Sequence, residues 1–424
     1  MDVPAALERR PANPDLVTRC CSFPWLPSLP SRLTFCLIAI PLLATCAVGA
    51  GIPMEIPGIL DDLSEQKSID YNIHTDGCEP DDERTVFKFS PEKFWEAAGK
   101  PEMAEQTLKR PKFLPIVSSV LLAQSMLKRA RGKGPTKGID GFVIELPTAG
   151  GHNAPPRGFR YDPVAKSHNV ALNEKGEPVY GPKDEVDLAK FAKATKGLPF
   201  WLAGSYADPS KFADVIKVGG YGVQAGTLFA MSEESGMADH TKQRVLSEVS
   251  EGDLTVYTDP VASPTGFPFK VLELKGTLSD KDKYDARPRV CNLGYLRTPY
   301  AKDDGKIGYR CAAEPVEDWL RKGGEVEATV GRKCLCNGLM ADAGVPQISP
   351  FKKEGEDERY LEEILVTMGD DVNSARKFMK QDENGRWGYS ATDVVDYLVS
   401  EWEASGGEEG VVVPAAAEED KVAL

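Results

Sequence analysis

Apolar residues in this chain come in short unbroken runs, separated by segments with helical spacing. KFLPIVSS (Lys112–Ser119) predicts a strand, and VLLAQSMLKRA (Val120–Ala130) a helix ending on basic residues that suit its C-terminus. GFVIEL (Gly141–Leu146) predicts the next strand, and Asp187–Thr195 the next helix. PFWLAGS (Pro199–Ser205) follows as a strand, Ser210–Val218 as a helix opened by Asp208–Pro209, and GVQAGTLF (Gly222–Phe229) as a last strand. Runs that are apolar throughout, rather than alternating, belong to strands buried on both faces. Their alternation with single helices predicts an α/β fold class with a parallel, TIM-barrel-like sheet. Upstream, TCAVGAG (Thr45–Gly51) predicts one more short strand, Ile56–Glu65 a helix, and Pro91–Ala98 a helix capped by Ser90.

The pattern changes after Ala230, where loops dense in Pro, Gly and Tyr alternate with short helices. Near the end, SATDVVDYLVSEWE (Ser390–Glu403) has a capping serine with Asp393 three residues on, then apolar residues at helical spacing. Four segments are therefore expected. Residues 1–44 are atypical, disordered or apolar; 45–257 hold the β/α barrel part; 258–404 form an extension packing on it; 405–424 are an acidic disordered tail.

Charge narrows the partners. The formal net charge of −14, without a basic stripe, argues against nucleic acid, whose phosphates need clustered Lys and Arg. Leu33–Met54 carries no charged side chain and matches the ~20 residues of a membrane span. Its GAGIP part reads better as a strand end and turn, which disfavours a signal peptide or membrane segment over 33–50 and points to the cytoplasm. The nine cysteines show no disulfide framework. Cys291, Cys311, Cys334 and Cys336 form a loose group, but C-x-C is not a usual zinc spacing and no histidine is near, so no metal is expected.

Chemistry gathers at three strand ends. GFVIEL runs into TAGGHNAPPRG, where Gly150 and Gly151 let the backbone approach a ligand and His152 faces the mouth of the fold. A histidine, with an ordinary pKa of ~6.5, can take a proton from a carbon acid near neutral pH. Glu145 is an anomaly, since a carboxylate in an apolar strand must be paired, neutralised or exposed at the mouth. Ala203, Gly204 and Ser205 end one later strand; Gln224, Gly226 and Thr227 end the next. Small residues and hydroxyls at two consecutive strand ends fit a phosphate site. Ser118 either donates to a ring system or caps the following helix.

These residues carry a resemblance. GAGIPMEIPGILD, FLPIVSS, GFVIELPTAGGHNAPPRG, LPFWLAGSY, YGVQAGTLFAMSEESG, TDPVASPTGFPFKV, CNLGYLRTPY and GRKCLCNGL resemble the flavin-dependent nitronate monooxygenase (2-nitropropane dioxygenase-like) family, in a longer bacterial-type branch. The resemblance runs from about Val48 to Tyr397. It implies an FMN-binding TIM barrel, with Ser118, Glu145, Gly150, Gly151, Ala203 and Gln224 against the cofactor and Gly204, Ser205, Gly226 and Thr227 at its phosphate. It implies that His152 deprotonates a nitroalkane, and that nitronate and O2 yield a carbonyl compound and nitrite. Ser205 replaces the family's usual glycine. Residues 1–44 do not supply the family's first three strands, so about five of eight are expected. The apolar run Leu33–Thr45 either reflects a misassigned start or fills that gap as a helix. Two alternatives accompany this reading: an FMN-dependent enoyl-thioester reductase and a non-catalytic barrel remnant. The sequence says nothing of oligomeric state.

Overall fold

Four of the apolar runs pair side by side as parallel strands. The computed structural model describes residues 114–129, 139–157, 160–162, 167–169, 171–352 and 359–404. The elements expected at Thr45–Gly51, Ile56–Glu65 and Pro91–Ala98 lie outside the described residues, as does the tail. The strands are β1 (Ile116–Val117), β2 (Phe142–Glu145), β3 (Phe200–Ala203) and β4 (Gly222–Gln224), adjacent in chain order. A doubly wound sheet reverses strand order at a switch point. Here no reversal occurs, and the sheet has the sequential order of a TIM-barrel-like α/β fold.

The helices between the strands are α1 (Val120–Arg129), α2 (Leu188–Ala194) and α3 (Pro209–Lys217). Each start has a local cause. Ser119 Oγ accepts from the Leu122 N–H, Asp187 caps α2 through the Lys190 N–H, and Asp208 caps α3 with Pro209 in its first turn. Period-two alternation then sorts the strand residues. Phe142, Ile144, Phe200, Leu202 and Val223 pack against Phe191 of α2 and Phe212 and Val215 of α3. Val143, Trp201 and Ala203 face the other way, with Leu114, Ile116 and Tyr221. Both faces are covered, which explains the unbroken apolar runs.

The run GVQAGTLF divides differently from its pattern. The strand stops at Gln224, and Thr227–Ala230 is a helical turn, α4. A short apolar run fits a strand or a buried helix equally, and the glycine at 226 is where the chain changes. The loop after His152 carries a hairpin, Arg160–Asp162 with Ser167–Asn169. Beyond α5 (Asp239–Glu251), the extension contains antiparallel pairs that its pattern does not predict. The important one joins β5 (Val256–Asp259) to β6 (Phe269–Leu272).

The extension shares its core with the barrel part. Leu228 and Phe229 of α4 pack with Val245 and Leu246 of α5, Leu272 of β6, and Val366, Met368 and Val372. The last helix, α6 (Ala391–Ala404), lays Val399 and Trp402 against Phe212 of α3. Ser390 and Asp393 cap it reciprocally, at 2.8 and 3.1 Å, as the spacing predicts. Among the described residues, no helix is long and apolar enough to cross a membrane, and no group of three or more His, Cys, Asp or Glu could hold a metal ion. Cys311 and Cys334 are buried free thiols, their pKa values pushed up by burial.

Candidate functional site

Sheet register assembles much of the expected site. Glu145 pairs with Ala203, and Ala203 with Gln224. Ser118 follows Val117, whose partner is Ile144, and so continues the row beside Glu145. By alternation these four share the face of Val143 and Trp201, one layer nearer the C-terminal strand ends. The helix cap is Ser119, not Ser118. Among the described residues no charged partner offsets the burial of Glu145, which pushes its pKa up to about 8. At neutral pH the row therefore presents a carboxylic acid able to donate a hydrogen bond. Below it, the buried Trp201 Nε1 finds no acceptor among the described residues.

The two glycines before His152 serve different ends. Gly151 has φ +78°, the left-handed region that favours glycine, with open space where a side chain would point. Gly150 is needed for closeness, because a Cβ there would lie 3.0 Å from the Gly369 N and the Met368 C. The loop then runs antiparallel to β6. The Lys270 N–H donates to the Gly151 carbonyl at 2.8 Å, and the Asn153 N–H to the Pro268 carbonyl at 2.9 Å. Thr367 ties both strands, its Oγ1 accepting from the Gly151 N–H at 2.8 Å and donating to the Lys270 carbonyl at 2.7 Å.

His152 consequently lies against the extension. Its Nε2 is 2.7 Å from Ser263 Oγ, and its ring meets the edge of Phe269 at 4.9 Å. Lys270, the next residue along β6, points the opposite way into a cavity of about 490 Å³. Leu146, Thr148, Glu177, Tyr180, Thr258 and Asp370 also line that cavity, whereas His152 does not. Lys270 Nζ is buried and pairs with Asp370 at 2.7 Å. Burial alone would raise the Glu177 pKa, but the Thr258 N–H, Asn173 and Lys270 hold it below its ordinary value.

The expected phosphate end is arranged otherwise. Gly204 has φ +102°, and a Cβ there would crowd Leu146 and Thr148 at 3.0 Å. Ser205 is also left-handed, at φ +54°, a conformation that favours glycine and strains a serine. Its hydroxyl compensates by donating to the Thr148 carbonyl at 3.1 Å. Thr227 Oγ1 accepts from the Gly369 N–H at 2.8 Å and hydrogen-bonds the Asp371 carboxylate. Burial raises the Asp371 pKa, and the Thr227 bond opposes that rise. The Asp370 N–H donates to the Thr148 carbonyl at 3.1 Å. Both hydroxyls expected to meet a phosphate are thus engaged by the chain itself, and a carboxylate stands beside one of them. An FMN phosphate does not fit against these residues in this arrangement.

Ser263, Lys270, Thr367 and Gly369–Asp371 were not legible as site residues from strand-end reasoning. Lys270 had a signal, being a lysine inside the apolar run FPFKVL, the same anomaly that marks Glu145.

No protein-family model matches this chain, and no curated protein matches it. Among solved structures, FabK from Thermotoga maritima is similar at 17% identity over 77% of this chain and 73% of its own, with a TM-score of 0.36. Nitroalkane oxidase from Streptomyces ansochromogenes gives 13% identity over 87% and 80%, with a TM-score of 0.36. The enoyl reductase domain of MlnA from Bacillus amyloliquefaciens gives 12% identity over 87% and 93%, with a TM-score of 0.41. At these values none of the three bears on activity.

Proposed function

We propose that this chain is a flavin-dependent oxidoreductase of the nitronate monooxygenase type, acting on a small nitroalkane or its nitronate with O2. The observation that supports it best is the strand-end row of Ser118, Glu145, Ala203 and Gln224, with Glu145 protonated at neutral pH. A neutral carboxyl beside small and amide-bearing residues suits an uncharged polar ring better than a free anion. The sequence resemblance of the same strand ends to the nitronate monooxygenase family agrees with this. The residues' own chemistry is proton transfer: His152 takes the proton on the carbon next to the nitro group. No step is assigned through FMN, because Ser205 and Thr227, expected at its phosphate, are engaged by Thr148, Gly369 and Asp371.

That closed arrangement favours a second reading, a barrel that does not hold FMN. Titration of the full chain with FMN separates the two. A yellow complex that survives gel filtration and is bleached anaerobically by ethyl nitronate supports the first. Bleaching by NAD(P)H alone points instead to an enoyl-thioester reductase, and a colourless protein at saturating FMN supports the second reading.

A further inference from the structure

We infer that Cys291, Cys311, Cys334 and Cys336 bind an iron–sulfur cluster, a site in the extension that does not depend on the flavin reading. The four residues come from three segments, and hydrogen bonds beside the cysteines tie these together. Arg289 donates to the Ala312 carbonyl at 3.3 Å and to the Thr329 carbonyl at 2.6 Å. Asn337 Nδ2 donates to the Val290 carbonyl at 3.3 Å. Cys311 and Cys334 are buried in one small cluster with Ala313. Burial raises the pKa values of Cys311, Cys334 and Cys336, and the nearby Cys291 raises each of them further. The fold thus brings together four cysteines that the sequence leaves as a loose group.

Each sulfur also accepts from the backbone. The donors are the Gly294 N–H for Cys291, Ala313 for Cys311, Asn337 for Cys334 and Leu296 for Cys336. A thiol accepts weakly and a thiolate strongly, so four N–H groups on four sulfurs suit metal ligands better than packed thiols. Cys334 is moreover the N-cap residue of the helix Leu335–Asp342, where the helix dipole favours a thiolate. Cations are placed to match. Arg297 and Lys322 stand near Cys291, Arg287 near Cys334 and Arg332 near Cys311. Arg332 is held by the Val261, Ser263 and Ala328 carbonyls and by no carboxylate at ion-pair distance among the described residues.

One further group is unexplained by packing. Glu314 is buried beside Cys291 and Cys311, with Oε2 on Lys322 at 2.6 Å. Its Oε1 is buried without a hydrogen-bond partner among the described residues. A carboxylate oxygen left in that state beside thiols is costly, and a cationic inorganic core offsets the cost. The kind of core follows from the layout. No three of these groups are placed to hold a single ion, which argues against zinc, whose ligands meet at one centre. An iron–sulfur core also takes four thiolates, but they surround several irons instead of converging on one. Bound to such a core the thiolates leave a net negative charge, which the surrounding arginines and lysine balance.

The test is iron and acid-labile sulfide analysis of the full chain, prepared without oxygen and reconstituted with ferrous iron, sulfide and a thiol reductant. After gel filtration, iron and sulfide should remain in equal amounts, about two or four of each per chain. The double variants Cys291→Ser with Cys311→Ser, and Cys334→Ser with Cys336→Ser, should each lose at least about fivefold of both. Replacing Cys20, Cys21, Cys36, Cys46 and Cys78 together by serine should change neither. If the double variants do not fold, hydrogen exchange of the natural chain decides. The Gly294, Leu296, Ala313 and Asn337 amides should exchange at least about tenfold more slowly with the cluster than after its removal by a chelator. No retained iron, iron without sulfide, or zinc bound stoichiometrically without sulfide overturns the inference. So does iron that both double variants keep, which marks an adventitious ion only, or exchange unchanged at those four amides.

Discussion

Replacing Glu145 by Gln should stabilise the protein at neutral pH and remove part of its pH dependence. The carboxyl's pKa is raised by burial from 4.5 to about 8. Between those limits the folded chain binds a proton that the unfolded chain has released, so stability falls as pH rises through the window. The stabilisation is complete below 4.5 and lost above about 8. The slope is about 1.4 kcal/mol per pH unit, so by pH 7 the natural chain has lost roughly 3 kcal/mol as an upper bound. Residual solvent contact of the half-buried side chain brings this nearer to about 2 kcal/mol. Glutamine keeps the shape and the neutral form at every pH. Urea unfolding of both chains between pH 5 and 8.5 checks it. Their stability difference cancels the other titrating groups and should be small at pH 5 and grow with pH. A difference that stays flat would mean that Glu145 is ionised in the fold, and the neutral donor in the strand-end row would be refuted.

Two further outcomes follow from the loops around the glycines. Asp371→Asn removes the carboxylate beside Thr227, so flavin-fluorescence titration should show FMN binding tighter by about tenfold or more; equal or weaker binding contradicts a seat closed by this segment. Thr367→Val strips the hydroxyl that joins the Gly151 N–H to the Lys270 carbonyl and should cost about 2–4 kcal/mol in denaturant unfolding. Thr367→Ser should cost less than about 1.5 kcal/mol, and equal losses would mean that packing rather than the paired bonds matters.

Legibility in the sequence followed the range of the forces involved. The strands Phe142–Glu145 and Phe200–Ala203 were readable because burial on both faces makes them apolar throughout, and α2 and α3 because Asp187 and Asp208 cap them locally. The row from Ser118 to Gln224 was readable because parallel register carries each strand end to the same layer. What failed to show was contact between distant segments. Nothing local to MGDD says that Gly369 donates to Thr227 or that Met368 packs on Gly150. Small residues at two strand ends looked like a phosphate seat, yet Gly204 is required by the nearness of Leu146 and Thr148. Close approach of a ligand and close approach of the chain itself call for the same residue types. Likewise, the position of His152 against Ser263 depends on pairing of its loop with β6, across a separation no periodicity spans.

The role of His152 as the base is tested most directly by His152→Asn in the FMN-supplemented full chain, assayed separately on nitroethane and on preformed ethyl nitronate. The account predicts that turnover of the neutral nitroalkane falls by about a hundredfold or more, while turnover of the nitronate, which needs no proton removed, stays within about tenfold of the natural chain. Equal loss on the two substrates, or undiminished turnover of nitroethane, would contradict it.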